Sequence, residues 1–134
     1  MLQMKLFTLV AIILCGLFAS GQRGHAEGAL AFLDVKGVGV YVGAGGNYDT
    51  SEEAKARALT ECQEGTHYRC SIVATFRHAC LAFASMPNSS DAGYGWAVAP
   101  TMAKANAQAL AKCKAMAGAA GHSCSLGRVG GCDN

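Results

Sequence analysis

Shifted by 51 residues, the chain aligns with itself. Ala31-Phe32 falls on Ala82-Phe83, Ala54 on Ala105, Ala58-Leu59 on Ala109-Leu110 and Cys62 on Cys113, with no gap across that span. Beyond it the copies drift: Cys70 matches Cys124 after a three-residue insertion, and Cys80 matches Cys132. Self-similarity at this period means one supersecondary unit used twice. The domain is expected over residues 28–132, with repeats at 28–80 and 81–132.

Within each unit the punctuation is legible. Ala29 to Leu33 is a short apolar run, Val38 to Val42 alternates β-branched residues with Gly and Tyr, and Gly43 to Asn47 reads as a glycine-rich turn, a hairpin pattern. Thr50, three residues before Glu53, forms a capping-box sequence ahead of a helix over Glu52 to Cys62. Ala54, Ala58 and Cys62, with Leu59 beside them, share one face and make a narrow small-residue stripe. Cys70 to Phe76 is β-branched and reads as a strand. The second unit follows with a run from Leu81 to Ser85, a loop from Pro87 to Ala92, a strand from Tyr94 to Ala99, a helix from about Thr101 to Met116, and a strand near Ser125 to Val129. Strands outnumbering helices, on short connections, predict an α+β fold: an antiparallel sheet with both helices on one face.

The N-terminus carries an export pattern. A charge at Lys5, an apolar run from Leu6 to Phe18 and small residues at Ala19, Ser20 and Gly21 follow the order of a secretory signal peptide. Cleavage is expected after Gly21 or after Ala26. The apolar run falls short of the roughly 18 to 20 residues that cross a bilayer. Cys15 raises a lipoprotein reading, which the bulky Leu14 before it argues against.

Loss of the leader takes Cys15 with it, leaving Cys62, Cys70, Cys80, Cys113, Cys124 and Cys132. An even count in a small exported domain implies a disulfide framework, and the absence of a C-x-x-C pair weighs against metal. Equivalent positions in the repeat should pair alike, which assigns Cys62 to Cys70, Cys113 to Cys124, and Cys80 to Cys132. On the loop-entropy account the local bridges contribute about 2.5 to 3 kcal/mol each and the long one about 4.

Gly28-Ala29-Leu30-Ala31-Phe32, the run Ala54 to Cys62, Phe76-Arg77-His78-Ala79-Cys80, Gly93-Tyr94-Gly95-Trp96 and the run Ala109 to Cys113 together resemble a family of small exported bacterial cysteine-rich proteins classed as a domain of unknown function. The resemblance spans residues 28 to 132 and implies bacterial export and a cystine-stapled tandem repeat, with no catalytic residues to carry over. The chain departs from the family pattern at Leu126-Gly127-Arg128-Val129-Gly130-Gly131, which is glycine-rich where a β-branched, aromatic strand is usual.

Chemistry is sparse. His67 and His122 each precede the second Cys of a local staple and would bind a metal or proton only if the repeats brought them together; polar loop residues are the simpler reading, so no metal is expected. His25 lies by the leader and His78 near a strand end. No G-x-S-x-G elbow is present. The nine acidic residues fall mainly in loops and on the exposed helix face, Glu52, Glu53, Glu61 and Glu64 among them. The glycines at Gly37, Gly39 and Gly43 to Gly46 lack the Lys of a Walker loop and the parallel unit of a dinucleotide site. No cofactor is expected. Tyr94 and Trp96 share a face and form either an aromatic platform or a core anchor beneath the second helix; Tyr41 is a looser candidate of that kind.

With 11 basic and 9 acidic residues, of which Lys5 and Arg23 leave with the leader, no polybasic patch for nucleic acid or anionic membrane remains. These features point to a periplasmic or secreted, non-enzymatic binding protein of the bacterial envelope whose partner is another protein, an inhibitor or immunity-like factor. The alternatives are a secreted protein acting on a host or neighbouring cell, and a small-molecule or glycan binder.

Overall fold

The computed structural model describes residues 26–86 and 93–133. The expected leader, with Cys15 and His25, and the expected loop from Pro87 to Ala92 lie outside the described residues. The elements are β1 (Glu27–Val35), β2 (Gly39–Tyr48), α1 (Ser51–Gln63), β3 (Ser71–Arg77), β4 (Cys80–Ser85), β5 (Tyr94–Ala99), α2 (Met102–Ala117), a 3-10 turn (Gly118–Ser123) and β6 (Ser125–Cys132). Among the described residues, no helix is long and apolar enough to cross a membrane.

Both helices start at a threonine. The Thr50 hydroxyl accepts from the Glu53 N–H at 3.2 Å, and the Glu53 carboxylate accepts from the Thr50 N–H at 3.2 Å, closing the capping box. Thr101 caps α2 by accepting from the Lys104 N–H at 3.3 Å, without a reciprocal bond because a lysine stands where the first helix has Glu53. Each helix buries one residue in four, Ala54, Ala58 and Cys62 in α1, and Ala105, Ala109 and Cys113 in α2. That stripe has so little side chain that the helix lies on strand backbone. A Cβ added to Gly43 would stand 2.3 Å from the Ala58 carbonyl oxygen, and one added to Gly95 would stand 2.4 Å from that of Ala109. Gly43 and Gly45 therefore lie inside β2 and not in the turn expected there; the hairpin turns at Lys36 to Val38, where the Val38 N–H donates to the Val35 carbonyl at 2.9 Å. Glycine is required there by close approach.

The fold is α+β with antiparallel pairing throughout, and its strands divide into two sheets with orders β2-β1-β3 and β5-β4-β6. Instead of sharing one face of one sheet, the helices cover opposite outer faces. Ala29 and Ala31 of β1 pack under α1, Ala82 and Ala84 of β4 under α2, and between the sheets Leu30, Phe76 and Leu81 form a third core with Val42, Trp96, Val98 and Val129. The layers run helix, sheet, sheet, helix. The physical reason is that β1 and β4 are apolar on both faces, small residues toward the helix and large ones toward the other sheet, so each sheet has two surfaces to bury.

The strand registers refine the correspondence between the halves. Gly43, against α1, pairs with Ala31, while Gly95, in the same place against α2, pairs with Ala84. In the central strands the halves thus match two residues further along than the 51-residue alignment suggests. An even slip leaves every side chain on its own face. Glu27 then corresponds to Cys80, Arg77 to Cys132 and His78 to Asp133, and the matching backbone bonds are present: His78 N–H to the Ala26 carbonyl and Asp133 N–H to that of Ala79.

The three disulfides are Cys62–Cys70, Cys113–Cys124 and Cys80–Cys132, the pairs the repeat assigns. The first two tie each helix end to the following strand. With repeats at 28–80 and 81–132 the third would tie the end of one unit to the end of the other; instead Cys80 opens β4 and faces Cys132 across the β4–β6 ladder. It closes the second sheet.

Candidate functional site

Glycine placement decides where the aromatic candidates go. Gly93 and Gly95 turn toward α2, so Tyr94 and Trp96 turn toward the space between the sheets. The Tyr94 ring lies 4.7 Å from that of Phe32, centre to centre, and Trp96 packs on the core of Leu30, Phe76 and Leu81. Burial raises the Tyr94 pKa above the ordinary tyrosine value, and the Asp34 carboxylate, which accepts its hydroxyl proton, raises it further. Lys112 reaches round the sheet edge, its Nζ 5.3 Å from the centre of the Trp96 ring and donating to the Trp96 carbonyl at 3.0 Å. The pair is an anchor between the sheets, not one beneath the second helix. Tyr41 lies on the opposite face of its own sheet, packed with the α1 core. His67 is an exposed loop residue, and His122 belongs to the 3-10 turn of the other half. Among the described residues, no three metal-ligating side chains cluster.

Two acidic residues missed in the sequence are the ones that matter electrostatically. Glu27 and Asp133 are buried, 8% and 5% exposed, at the end of the sandwich where β1 begins and β6 stops. Glu27 is held by Arg77, whose Nε donates to Oε1 at 2.7 Å and whose Nη2 makes a second bond to the same oxygen. Asp133 Oδ1 accepts from the Asn47 N–H at 2.9 Å across the boundary between the halves. Among the described residues its Oδ2 is buried with no hydrogen-bond partner. Burial is the largest influence on the Asp133 pKa and raises it; the Asn47 N–H lowers it, Glu27 raises it and His78 lowers it, and the net direction is upward.

The position is made by absences. A Cβ on Gly28 would meet Asp133 Oδ2 at 2.4 Å, and one on Gly46 would meet Oδ1 at 2.6 Å. Beside it β2 carries an irregularity between its partners for Glu27 and Ala29, and Asn47 sits there at φ 59, which turns its N–H to the carboxylate. The carboxyl lines a cleft of about 190 Å³ walled by Ala44, Gly46, Phe76, Leu81, Gly130 and Gly131. Gly130 and Gly131, at φ 150 and 153, hold a backbone shape that side chains disfavour.

A second cleft of about 170 Å³ lies on the far side of β6. There Ala82 and Ala84 pair with Gly130 and Leu126, so Gly127 to Val129 bow out opposite Phe83 alone. Met102 and Asn106 of α2 line it, with Arg128 at the rim.

Residues 28–129 match the profile described as Domain of unknown function (DUF4189). The chain belongs to that family. No curated protein and no solved structure matches it. Glu27 and Asp133 flank the span that defines the DUF4189 match, just outside it on either side. The signal that could have found them is the Cys80–Cys132 pairing itself, which brings the residue after Cys132 next to Ala79, and so close to Arg77 and His78.

Proposed function

We propose that this DUF4189 protein is an exported, non-enzymatic binding protein of the bacterial envelope that docks another protein, in the manner of an inhibitor or immunity factor. The observation that carries the reading is the set of three disulfides in a domain this small. Such density belongs to oxidising compartments. A domain stapled at both helix ends and across its second sheet loses little conformational entropy on docking. The aromatic pair supports the same reading over a glycan platform, because Tyr94 and Trp96 spend their faces on Phe32 and the inter-sheet core.

The test uses the full chain, tagged at its C-terminus, in a bacterium with a periplasm. Recovery from the periplasm or medium, cut after Gly21 or Ala26 and without free thiols, is the expected result, together with a stoichiometric protein complex surviving gel filtration. An uncut, reduced chain in the cytoplasm overturns export. An exported chain that migrates as a lone protein in envelope extracts overturns the protein-partner reading.

A further inference from the structure

The cleft beside Asp133 has a filled counterpart, and the comparison shows what is missing from it. By the registers above, Ala44 and Gly46 of β2 occupy the places held on β5 by Trp96 and Val98. The β5 side of the inter-sheet space is therefore filled by large apolar side chains. The other is an opening of about 190 Å³.

Into that opening the fold sends a carboxyl group. Strand alternation turns Gly28, like Leu30, toward the space between the sheets, and the Asp133 oxygens stand where Cβ atoms on Gly28 and Gly46 would be. A carboxylate accepts up to about four hydrogen bonds. Among the described residues this one accepts a single bond, from Asn47, and leaves Oδ2 buried without a partner. Among the described residues, the other charged or titratable groups at this end are Glu27, already bound by Arg77, and His78, exposed in the β3–β4 turn. Two carboxylates thus stand against one guanidinium. Beyond Asp133 the walls combine the apolar side chains of Ala44, Phe76 and Leu81 with glycine backbone and Asn47.

We propose that this cleft binds a primary ammonium group on a slender alkyl stem, the ammonium on Asp133 and the stem along Ala44, Phe76 and Leu81. Oδ2 is closed off in the ligand-free fold, so the carboxyl turns toward the opening as the ligand enters; an ammonium is a compact donor that this one unpaired oxygen can satisfy, whereas a guanidinium fork wants both oxygens and Oδ1 is committed to Asn47. The volume lies below the range of about 300 to 1,000 Å³ typical of drug-sized sites, so the ligand is short. A free alkylamine and the lysine side chain of a polypeptide share this chemistry. The site does not rest on the docking role above and stands or falls separately from it.

The test titrates the mature protein at pH 7 with n-butylammonium, its neutral counterpart n-butanol, and Nα-acetyl-lysine amide, following backbone amide resonances. The expected result is saturable binding of n-butylammonium with shifts at Gly46, Asn47, Gly130 and Gly131, and binding of n-butanol weaker by about tenfold or more. Acetyl-lysine amide binding as tightly as n-butylammonium assigns the site to a lysine side chain; its exclusion assigns a free amine. Asp133→Asn should abolish the preference for the amine. Ala44→Leu, which narrows the opening while leaving Asp133 in place, should weaken amine binding independently. Failure of n-butylammonium to saturate, n-butanol binding as tightly as the amine, or a folded Asp133→Asn that binds the amine unchanged overturns the proposal.

Discussion

At the same corner of each sheet the two halves use different chemistry. Glu27 faces Arg77 across β1 and β3 as an ion pair, and the corresponding residues across β4 and β6, Cys80 and Cys132, are joined covalently. The outer strands explain the difference. β3 brings Ile72, Ala74 and Phe76 to the cores, whereas β6 brings Val129 and carries Gly127, Gly130 and Gly131. Glycine within a strand costs conformational entropy and returns no packing. A strand with few side chains to hold it is held by a bond; a strand anchored by Phe76 needs only a charge pair at its rim.

That contrast is sharpest under mutation. Replacing Cys80 and Cys132 together by Ala should cost about 4 kcal/mol in urea unfolding on the loop-entropy account. Replacing Glu27 and Arg77 together by Gln and Met should cost about 1 kcal/mol or less, since the Arg77 side chain is 57% exposed and its pairing is screened. Equal losses would show that the two corners are not mechanically distinct.

Where the halves are alike, they should respond alike. Gly43→Ala and Gly95→Ala each drive a Cβ into helix backbone, and each is expected to lower stability by about 2 kcal/mol. A cost confined to one of them would mean that its helix can lift. Helix capping breaks the likeness again: Thr50→Ala removes a hydroxyl that both accepts from the Glu53 N–H and donates to the Glu53 carboxylate and should cost about 1 kcal/mol, against about 0.5 for Thr101→Ala, whose hydroxyl only accepts from the Lys104 N–H.

The smallest comparison is one of pH. Asp133 titrates above its ordinary value of 3.8 in the fold, so the folded state holds the proton more tightly than the unfolded chain. Its contribution is fully present below that ordinary value and is lost as pH rises through the raised one. Thermal unfolding should therefore show added stability on acidification through that window, and Asp133→Asn should remove the slope. Tyr94, raised above 10.0, behaves likewise at the alkaline end, where Tyr94→Phe should flatten the loss of stability as pH climbs.

Local features were legible in the sequence and remote ones were not. Thr50, Thr101 and the alanine stripes mark both helices, because caps and periodicity act within a few residues. The cystine pairs follow from equivalence between copies. The second sheet was hidden because a run such as Ala29 to Phe32 reads as one buried strand, whichever layers cover it. Gly43 and Gly45 resemble a turn in composition, and only the helix lying on them makes them strand. The two-residue slip preserves faces and so leaves no trace in hydrophobic pattern. Asp133 looks like a tail residue until Gly28 and Gly46, far away in sequence, supply the space for its carboxyl group.

The inter-sheet core has a consequence for the chain as it is made. Leu30 and Phe76 belong to the first half and Leu81 to the second, so neither half covers its own large residues. The N-terminal half can curl up from near neighbours and close Cys62–Cys70 across 8 residues, while Cys80 waits 52 residues for Cys132. During that interval the first sheet presents a bare apolar face, and on two nascent chains those faces suit each other because the halves share one topology. Prompt completion of the second sheet, whose Leu81, Trp96, Val98 and Val129 cover that face, is what keeps this molecule from meeting its own twin.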